Sequence, residues 1–289
     1  MTINIAIISQ FRAELLKKCL NSISKQTVLP KAVIVVLNSQ DQSSIKLLSQ
    51  YNHLKFKIKF HSKKGYAPLR NLALKTSKSD FIYFVDDDCV LDSKTVKFAY
   101  NYLLNHKDYA AVQGRSINYD TSFYAQFAKW TNDLWLERLY DKKSKTLKAI
   151  DTKNVCFRRK KIENLKFNEC FGSEDVDFGL QIANRGGKIG FEPKMFVHHQ
   201  EQANNLFFYC RKRLRMRKGL AMVKKKWGRL SIFYEGDRQF KQKISKLFKK
   251  SKYQRSFKHK FIFNLFLFFR DLRFFLEEEN PVFKRSAAN

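Results

Sequence analysis

Along the first hundred residues, hydrophobic positions follow two patterns in turn: short uninterrupted runs, and single residues repeated at helical spacing. Short β-branched or aromatic runs occur at 3–8 (INIAII), 32–37 (AVIVVL) and 81–85 (FIYFV), with a weaker run at 55–60. Such uninterrupted runs are typical of strands buried in a parallel sheet. Between them, apolar residues recur at helical spacing, as they do from Leu15 to Ile23. This alternation predicts an α/β fold with a right-handed βαβ array and a mostly parallel sheet flanked by helices.

The later part of the chain continues the same pattern. A strand is expected at 110–114 and an aromatic-rich helix at 123–140. Another helix is expected to begin with Ser173 as its cap and to stop at the glycine pair 186–187. A strand at 188–192 and the motif PKMFVHHQ close this part.

Three consecutive carboxylates, Asp86, Asp87 and Asp88, follow directly on the FIYFV run. In open parallel sheets, ligands bind outside the carboxyl ends of the strands. Crowded carboxylates repel one another unless a cation or hydrogen-bond donors are present, and Mg²⁺ and Mn²⁺ prefer carboxylate oxygens. A helix-capping turn is the structural alternative. The run predicts a divalent metal site in preference to such a turn.

A second acidic cluster contains Glu174, Asp175 and Asp177, and two histidines, His198 and His199, follow the later strand. Acidic residues in the first turn of a helix are stabilised by the helix dipole, which is the structural alternative for the cluster. Together with a metal site, however, a separate carboxylate suits transfer of a group from a diphosphate. The cation then serves the leaving group and the carboxylate is the base for the incoming hydroxyl.

Three stretches, in matching order, resemble the inverting glycosyltransferases of family 2. CLNSISKQTVLPKAVIVVLNSQDQS is similar to the family's opening, GYAPLRNLALKTSKSDFIYFVDDDCVLD to its aspartate-x-aspartate region, and NECFGSEDVDFGLQIANRGGKIGFEPKMFVHH to its Glu-Asp motif and the following Val-x-His. Together they cover about residues 3–200. The resemblance implies the GT-A nucleotide-diphospho-sugar transferase fold, a nucleotide-sugar donor and an enzyme of the bacterial glycan-assembly type.

Carried over position by position, the resemblance assigns the divalent cation to Asp88, with Asp86 as a further ligand. Asp86 or Asp87 is expected nearer the ribose of the donor. Asp175 matches the family's general base, which takes the proton from the acceptor hydroxyl as that oxygen attacks the anomeric carbon with inversion. Glu174 is expected to support this base or to touch the acceptor.

Further positions are implied at the donor site. His199 fits the Val-x-His spacing better than His198 and is expected to complete the metal or diphosphate site. Arg70 matches a position near the donor phosphates. Asn154 aligns with the family's GxN element beside the sugar pocket, although Lys153 replaces the usual small residue.

Two departures from the family pattern concern the donor. SQFR at 9–12 replaces the usual Thr-Tyr-Asn-Arg, and Leu-Asn at 37–38 replaces Asp-Asp or Asp-Asn. We expect Ser9, Arg12 and Asn38 to line the donor site. Because an acidic group after the second strand commonly reads the base of the nucleotide, its replacement by Asn38 leaves the base open, with a UDP-sugar as the default.

The charge is strongly positive, with 57 Lys and Arg against 26 Asp and Glu. From Leu206 to Lys260 there are 20 Lys or Arg and only two acids, Glu235 and Asp237. We expect a GT-A catalytic domain over 1–205, followed by a basic, aromatic-rich helical extension that lies on an anionic membrane surface. Packing of these helices on the catalytic domain is the alternative.

Two other functions compete with sugar transfer. A nucleic-acid-binding protein would explain the basic excess but not the two acidic clusters, so no nucleic-acid partner is expected. A nucleotidyltransferase would be expected to carry a Gly-rich loop near the first strand, where this chain has SQFRAELLKK. With Mg²⁺ or Mn²⁺ as cofactor, we predict transfer to a hydroxyl of a glycan or lipid-linked saccharide.

The compartment follows from the cysteines and the apolar runs. Five cysteines at irregular spacing, without a CxxC pair, argue against a zinc knuckle or disulfide framework and favour a reduced cytosolic compartment. The N-terminal segment is expected to be a first strand and not a signal peptide. The run from Phe261 to Phe269 is too short to span a bilayer. We therefore expect a cytoplasmic protein, peripheral on the inner face of the cell membrane.

Overall fold

The computed structural model describes residues 1–62, 65–118, 122–169, 172–200, 218–228, 237–265 and 267. Its strands are β1 Ile3–Ile8, β2 Ala32–Leu37, β3 Phe56–Phe60, β4 Phe81–Asp86, β5 Cys89–Leu91, β6 Tyr109–Asn118, β7 Tyr140–Asp141, β8 Thr146–Leu147, β9 Asn154–Arg158 and β10 Lys188–His199. Its first seven helices are α1 Ala13–Ser24, α2 Gln42–Leu48, α3 Ala67–Thr76, α4 Thr95–Asn105, α5 Phe123–Leu139, α6 Arg159–Ile162 and α7 Glu174–Asn184. Helices also cover 218–227, Asp237–Lys249 and 257–265, and a 3₁₀ turn covers Lys252–Arg255.

Eight strands form one sheet in the order β3-β2-β1-β4-β9-β6-β10-β5. The first four are parallel to one another, and β6 is parallel to β10. Two strands run against their neighbours: β9 lies antiparallel between β4 and β6, and β5 is antiparallel to β10. The separate pair β7-β8 forms a small second sheet. The predicted mixed, mostly parallel α/β architecture is therefore confirmed.

Helices cover both faces of the sheet because successive side chains of a strand point to opposite faces. Ile5 and Ile7 of β1 pack with α1 and α4 on one face. Ala6 and Ile8 pack with α3 and α7 on the other face, where Val223 of the 218–227 helix is also fully buried. The carboxyl ends of β1, β2 and β4 consequently meet at one edge of a rigid, fully buried layer.

Two features of the sheet differ from the sequence prediction. The pattern did not indicate β5 or β9, because the first has only three residues and the second is a short run containing Asn154 and Arg158. The histidines were expected after a strand but lie within it, since β10 continues through Pro193 to His199. The pairing of β10 with β6 is irregular between Phe191 and Phe196, as expected around a proline that cannot donate a ladder hydrogen bond.

The predicted boundary between 1–205 and 206–289 lies outside the described residues, as do 206–217, 229–236, 266 and 268–289, so this division stays a prediction. The helices at 237–249 and 257–265 pack on α5. Their shared cluster consists of Phe123, Phe127, Trp130, Ile244, Phe248, Ile262 and Phe263. Across the described ranges, the structure holds no helix with both the length and the apolar character needed to cross a membrane.

Candidate active site

The first acidic run lies at the edge of the sheet where β1 and β4 end. Asp86 is the last residue of β4 and is paired in register with Ile8 of β1. Asp87 is fully buried beneath it. Ser9 Oγ donates to Asp87 Oδ2 at 2.6 Å, and Arg12 donates to both carboxylate oxygens, through Nε at 3.1 Å and through Nη2. Asp87 thus fixes the loop after β1 in place.

The charge state of this buried group reflects two opposing effects. Burial raises the pKa of Asp87 to about 7, even though Arg12 and the Ser9 hydroxyl favour its ionised form. In return, the pKa of Arg12 is raised, because Asp87 and Asp88 outweigh the cost of its burial. Of the residues expected at the donor site, Ser9, Arg12 and Asp87 are therefore brought together, with the Asp87 carboxylate enclosed and not open to a ligand.

Asp88 contacts the same arginine, Arg12, and also an imidazole. Arg12 Nη1 donates to Asp88 Oδ2 at 3.0 Å, and His199 Nε2 lies 3.4 Å from Asp88 Oδ1. Burial opposes ionisation of Asp88, but the hydrogen bond with His199, together with the charges of His199, Arg12 and Lys153, holds its pKa below the usual value. Asp88 is therefore an ionised carboxylate with one imidazole as its close neighbour.

A metal ion would find suitable donors here. Ligand atoms of Asp88, Cys89 and His199 lie within 4.8 Å of one another. Burial raises the pKa of the Cys89 thiol well above its usual value, so it stays protonated and is a poor ligand. The carboxylate and imidazole suit a divalent cation such as Mn²⁺ better than a soft one. Asp86 is not a member of this group and faces Arg70.

The strand geometry distinguishes the two histidines. Neighbouring residues of a strand point to opposite faces, and it is His199 that is buried against Asp88. His198 is only partly buried, and its ring packs edge-on against Phe196 at 5.4 Å between centroids.

Arg70 joins the two acidic clusters. It is buried in the first turn of α3, where it donates to the carboxylate of Glu174 through Nη1 and lies 3.4 Å from Asp86 Oδ1 through Nη2. The rings of Tyr66 and Phe167 flank its guanidinium at 5.4 and 5.9 Å. A single side chain therefore brings the end of β4 and the start of α7 to one cleft.

The start of α7 is locally unusual. Ser173 is the N-cap, as predicted, but it has a left-handed φ of 62° and its side chain makes no capping hydrogen bond. Glu174 is buried against Arg70, and Asp175 is partly buried. Burial raises the pKa of Asp175 to about 7, with added repulsion from Glu174 and Asp151. Asp175 is thus a carboxylate whose pKa lies close to neutral pH.

Asn154 is held within the sheet. Tyr83 Oη donates to its Oδ1 at 2.6 Å, and its Nδ2 donates to the carbonyl oxygens of Arg115 and Met195 at 2.8 and 3.0 Å. A side chain at Gly114 would collide with this amide. Asn154 therefore cross-links β4, β6 and β10 at the base of the cleft, directly beside Lys153.

Comparisons with known proteins decide the family. A search of curated proteins gives no match. Residues 5–166 match the family model described as glycosyl transferase family 2. The chain belongs to glycosyltransferase family 2. Its predicted family and its predicted role as a glycosyltransferase are therefore confirmed, and the match favours this role over nucleic-acid binding and nucleotidyl transfer.

Several solved glycosyltransferase structures share the fold. Mannosyltransferase PcManGT from Pyrobaculum calidifontis, in complex with GDP-Man and Mn²⁺, is 14% identical with a TM-score of 0.66, covering 91% of this chain and 79% of its own. S. aureus TarS 1–349 in complex with UDP-GlcNAc is 17% identical at 0.56, covering 87% and 74%. Glucosyl-3-phosphoglycerate synthase from Mycobacterium tuberculosis, with Mn²⁺, UDP-Glc and phosphoglyceric acid, is 16% identical at 0.55, covering 78% and 79%.

The family match ends before the second acidic cluster, where this glycosyltransferase has a contact that the sequence did not indicate. Asp177 is fully buried and accepts hydrogen bonds of 2.7 Å from Lys226 Nζ, Trp227 Nε1 and Gln181 Nε2. Gly219 lies against the loop before α7, where any side chain would meet the Gly172 carbonyl. The 218–227 helix is thus fastened to the helix that carries Asp175.

Two further carboxylates were missed. Asp151 lies 2.5 Å from Lys153 Nζ and adds its charge to the surroundings of Asp175. Asp41 accepts from the Phe11 amide at 2.6 Å and caps α2, which ties the loop after β1 to the loop after β2. The predicted Asn38 lies in that second loop, and its Oδ1 accepts only a local hydrogen bond from the Gln40 amide in the described contacts. Neither Asp151 nor Asp41 belongs to a spaced acidic motif.

A cavity opens beside this cleft. Residues of β6, α5 and the turn before β9 form its wall: Gln113, Gly114, Arg115, Ser116, Asn132, Asp133, Trp135, Leu136, Leu139, Leu147, Ala149 and Asp151. Asp151 is a wall residue of the cavity, and its charge acts on Asp86 as well as on Asp175, so the cavity adjoins both acidic clusters.

Proposed function

We propose that this glycosyltransferase moves a sugar from a nucleotide-diphosphate donor, a UDP-sugar by default, to a hydroxyl of a glycan or lipid-linked saccharide, with inversion at the anomeric carbon. The observation that carries the proposal is the bridge formed by Arg70. Its contacts with Asp86 and Glu174 bring a cation-binding carboxylate run and a candidate base into one cleft.

The donor occupies the side of the cleft where β1 and β4 end. Asp88 and His199 would hold Mg²⁺ or Mn²⁺, which would supply positive charge for the departing diphosphate. Asp86, whose side chain is 29% exposed, faces the nucleoside and not the metal. Arg12 and Lys153 add fixed positive charge beside the phosphates. The Mn²⁺ bound with nucleotide sugars in two of the solved neighbours supports this assignment.

The acceptor approaches from the side of α7. Asp175 takes the proton of the acceptor hydroxyl while that oxygen forms its bond to the anomeric carbon and the bond to the diphosphate breaks. A pKa near 7 suits this role, because such a base is largely ionised just above neutral pH and still attracts a proton strongly. General base catalysis of this kind contributes about 10²- to 10⁴-fold. Glu174, fixed by Arg70, positions the acceptor beside the base.

The acceptor is proposed to be a glycan or lipid-linked saccharide reached at the cytoplasmic face of the membrane. The cavity beside Asp151 measures only about 40 Å³ and does not enclose a saccharide, but the indole of Trp135 and the polar groups of Asn132 and Asp133 in its wall are of the kinds that stack on and hydrogen-bond to a sugar. The surplus of 31 positive charges favours association with an anionic surface.

The decisive experiment screens nucleotide sugars for metal-dependent hydrolysis and transfer, using the wild type and two variants. Asp88→Asn should abolish the stimulation by Mn²⁺ or Mg²⁺. Asp175→Asn should retain donor affinity but transfer sugar about 10²- to 10⁴-fold more slowly. Asp108→Asn is the matched control, because Asp108 is an exposed carboxylate paired with Lys188 far from the cleft.

Each result separates one part of the proposal. Unchanged metal stimulation in Asp88→Asn would remove the metal assignment, and undiminished transfer in Asp175→Asn would remove the base. A product that keeps the donor's anomeric configuration, observed by NMR, would contradict inversion.

A further inference from the structure

The 257–265 helix carries two strongly exposed aromatic rings. Phe257 is 84% exposed, the largest value among the phenylalanines of the described residues, and Phe261 is 60% exposed. The next two residues of the helix, Ile262 and Phe263, are buried in the cluster that packs on α5. Since burial of one side of the helix holds it in place, the two exposed rings are presented outward by a fixed scaffold.

Helical geometry arranges the cations around these rings. At about 100° per residue, Phe257 and Phe261 share one stripe, Lys258 lies on one flank and Lys260 on the other. Both lysines are exposed. The buried Ile262 and Phe263 point to the opposite half of the helix. An aromatic stripe between two lysine flanks is the arrangement of a helix that lies in the plane of a bilayer interface.

The residues before this helix add to its positive charge. From residue 237 to 265 there are ten Lys or Arg, and Asp237 is the single acid. Lys252 and Arg255, in the turn directly before the helix, are exposed. Long lysine and arginine side chains can reach anionic head groups while the phenyl rings enter the acyl boundary.

We infer that Phe257 and Phe261, with Lys252, Arg255, Lys258 and Lys260, form a docking patch for an anionic lipid bilayer. The patch is a convex helix face without a groove to follow a strand. This shape favours a bilayer over single-stranded nucleic acid, which is bound in charged grooves.

The position of the patch indicates a role in bringing the bilayer to the acceptor side of the cleft. This role rests on the proposed lipid-linked acceptor. Phe123, Phe127 and Trp130 of α5 support the C-terminal helices. The same helix supplies Asn132, Asp133 and Trp135 to the cavity beside the cleft. A bilayer held by the patch would therefore be coupled through one rigid helix to the proposed acceptor side.

The test uses the full chain with vesicles of phosphatidylcholine, with and without phosphatidylglycerol, in a co-sedimentation assay. The wild type should bind the anionic vesicles, and binding should weaken at high salt. Phe257→Ser/Phe261→Ser should lower the partition coefficient on the order of tenfold or more, since each ring loses its apolar burial. Lys258→Glu/Lys260→Glu should lower binding to the anionic vesicles selectively.

Leu29→Ser is the matched control, because Leu29 is an apolar side chain of similar exposure, 57%, at a turn outside the C-terminal helices. It should bind vesicles as the wild type does. Unchanged vesicle binding in the double Phe variant would overturn the inference. So would loss of binding to random RNA in that variant without loss of vesicle binding, which would assign the patch to nucleic acid.

Donor hydrolysis, measured on the same samples, shows that the variants are folded and separates the two proposals. Hydrolysis without patch-dependent vesicle binding contradicts the docking patch alone. Patch-dependent vesicle binding without hydrolysis of any nucleotide sugar supports the patch and contradicts the proposed function.

Discussion

Asp88 and Asp175 are carboxylates of the same cleft, yet their pKa values move in opposite directions. Asp88 has the guanidinium of Arg12 and the imidazole of His199 as direct partners, so its pKa is lowered despite burial. Asp175 has acids as its neighbours, and burial raises its pKa to about 7. The proposed donor side thus keeps a negative charge, while the proposed acceptor side keeps a group that can take and release a proton.

The difference arises from how each side is built. Asp88 follows a buried strand whose position is fixed by eight-stranded packing, and its partners come from β10 and the loop after β1. Asp175 stands at the first turn of α7, behind a residue in left-handed conformation. Among the described residues, Arg70 is the cation with direct contacts to both sides, through Asp86 and Glu174. Removing groups on either side therefore tests the comparison directly.

The largest loss of stability is expected from Arg70→Met, which removes the side chain that contacts both Asp86 and Glu174. Glu174 would keep a buried charge without its partner, and breaking a buried ion pair in this way costs about 3–5 kcal/mol. Urea denaturation should show this loss, and the Arg70→Met/Glu174→Gln double variant should recover part of it. Lys188→Met is the control, since its pair with Asp108 is fully exposed and screened by solvent and so contributes little to stability. Equal losses in both single variants would contradict the bridge.

The next effect concerns the donor side alone and contrasts two neighbouring histidines. His199→Gln removes the imidazole beside Asp88, so Mn²⁺ affinity in the presence of a nucleoside diphosphate should fall. The loss should be at least the roughly 10- to 100-fold that follows removal of groups supporting a metal ligand. His198→Gln should leave affinity unchanged, because His198 packs against Phe196. Isothermal titration measures both, and a larger loss in His198→Gln would contradict the assignment.

The sequence predicted the sheet better than it predicted the partners of the carboxylates. Uninterrupted runs such as INIAII and AVIVVL are fully buried strands with the predicted bounds, since burial on both faces leaves a local signal. The acidic runs were visible for the same reason. The different contacts of Asp86, Asp87 and Asp88 were not visible in the sequence, because they depend on Ser9 and Arg12, more than seventy residues away.

Contacts between distant segments explain the other omissions. Asp177 was visible as an acid in a helical first turn, but nothing in the spacing indicated Lys226 or Trp227 as its partners. Asn154 was expected beside the sugar. In the structure its side-chain amide makes hydrogen bonds within the sheet, to Tyr83, Arg115 and Met195. A polar residue's role depends on what lies across from it, and hydrophobic periodicity carries no record of that.

A smaller effect is expected on the acceptor side from Trp227→Phe. The change removes one donor to the buried Asp177 carboxylate while Lys226 and Gln181 remain, so the free energy of unfolding should fall by about 1–3 kcal/mol. Because α7 also carries Asp175, transfer should slow while donor affinity is kept. Lys243→Met removes an exposed contact with Glu137 and serves as the control. Weakened donor affinity in Trp227→Phe would place the contact on the wrong side of the cleft.

The smallest effect sharpens the comparison through pH. Asp175 must be ionised to accept a proton, so kcat/KM for the acceptor at saturating donor should fall as pH drops through about 7. Glu174 contributes to this raised pKa by repulsion, so Glu174→Gln should move the acidic limb to lower pH. The relative rate below the limb should rise about tenfold for each unit by which the pKa falls.

The free energy of unfolding should also depend on the ionisation of Asp175, but it should fall with rising pH where the activity rises. The native state holds a proton on Asp175 up to about pH 7, whereas the unfolded chain releases it near pH 4, so stability falls as pH rises between these values. Asp175→Asn should remove this contribution, which thermal unfolding at two pH values would detect. Asp88 has a lowered pKa and should behave in reverse, losing its stabilising contribution only as the pH falls below about 4. A stability profile of Asp175→Asn identical to that of the wild type would show that the two carboxylates do not differ as their surroundings require.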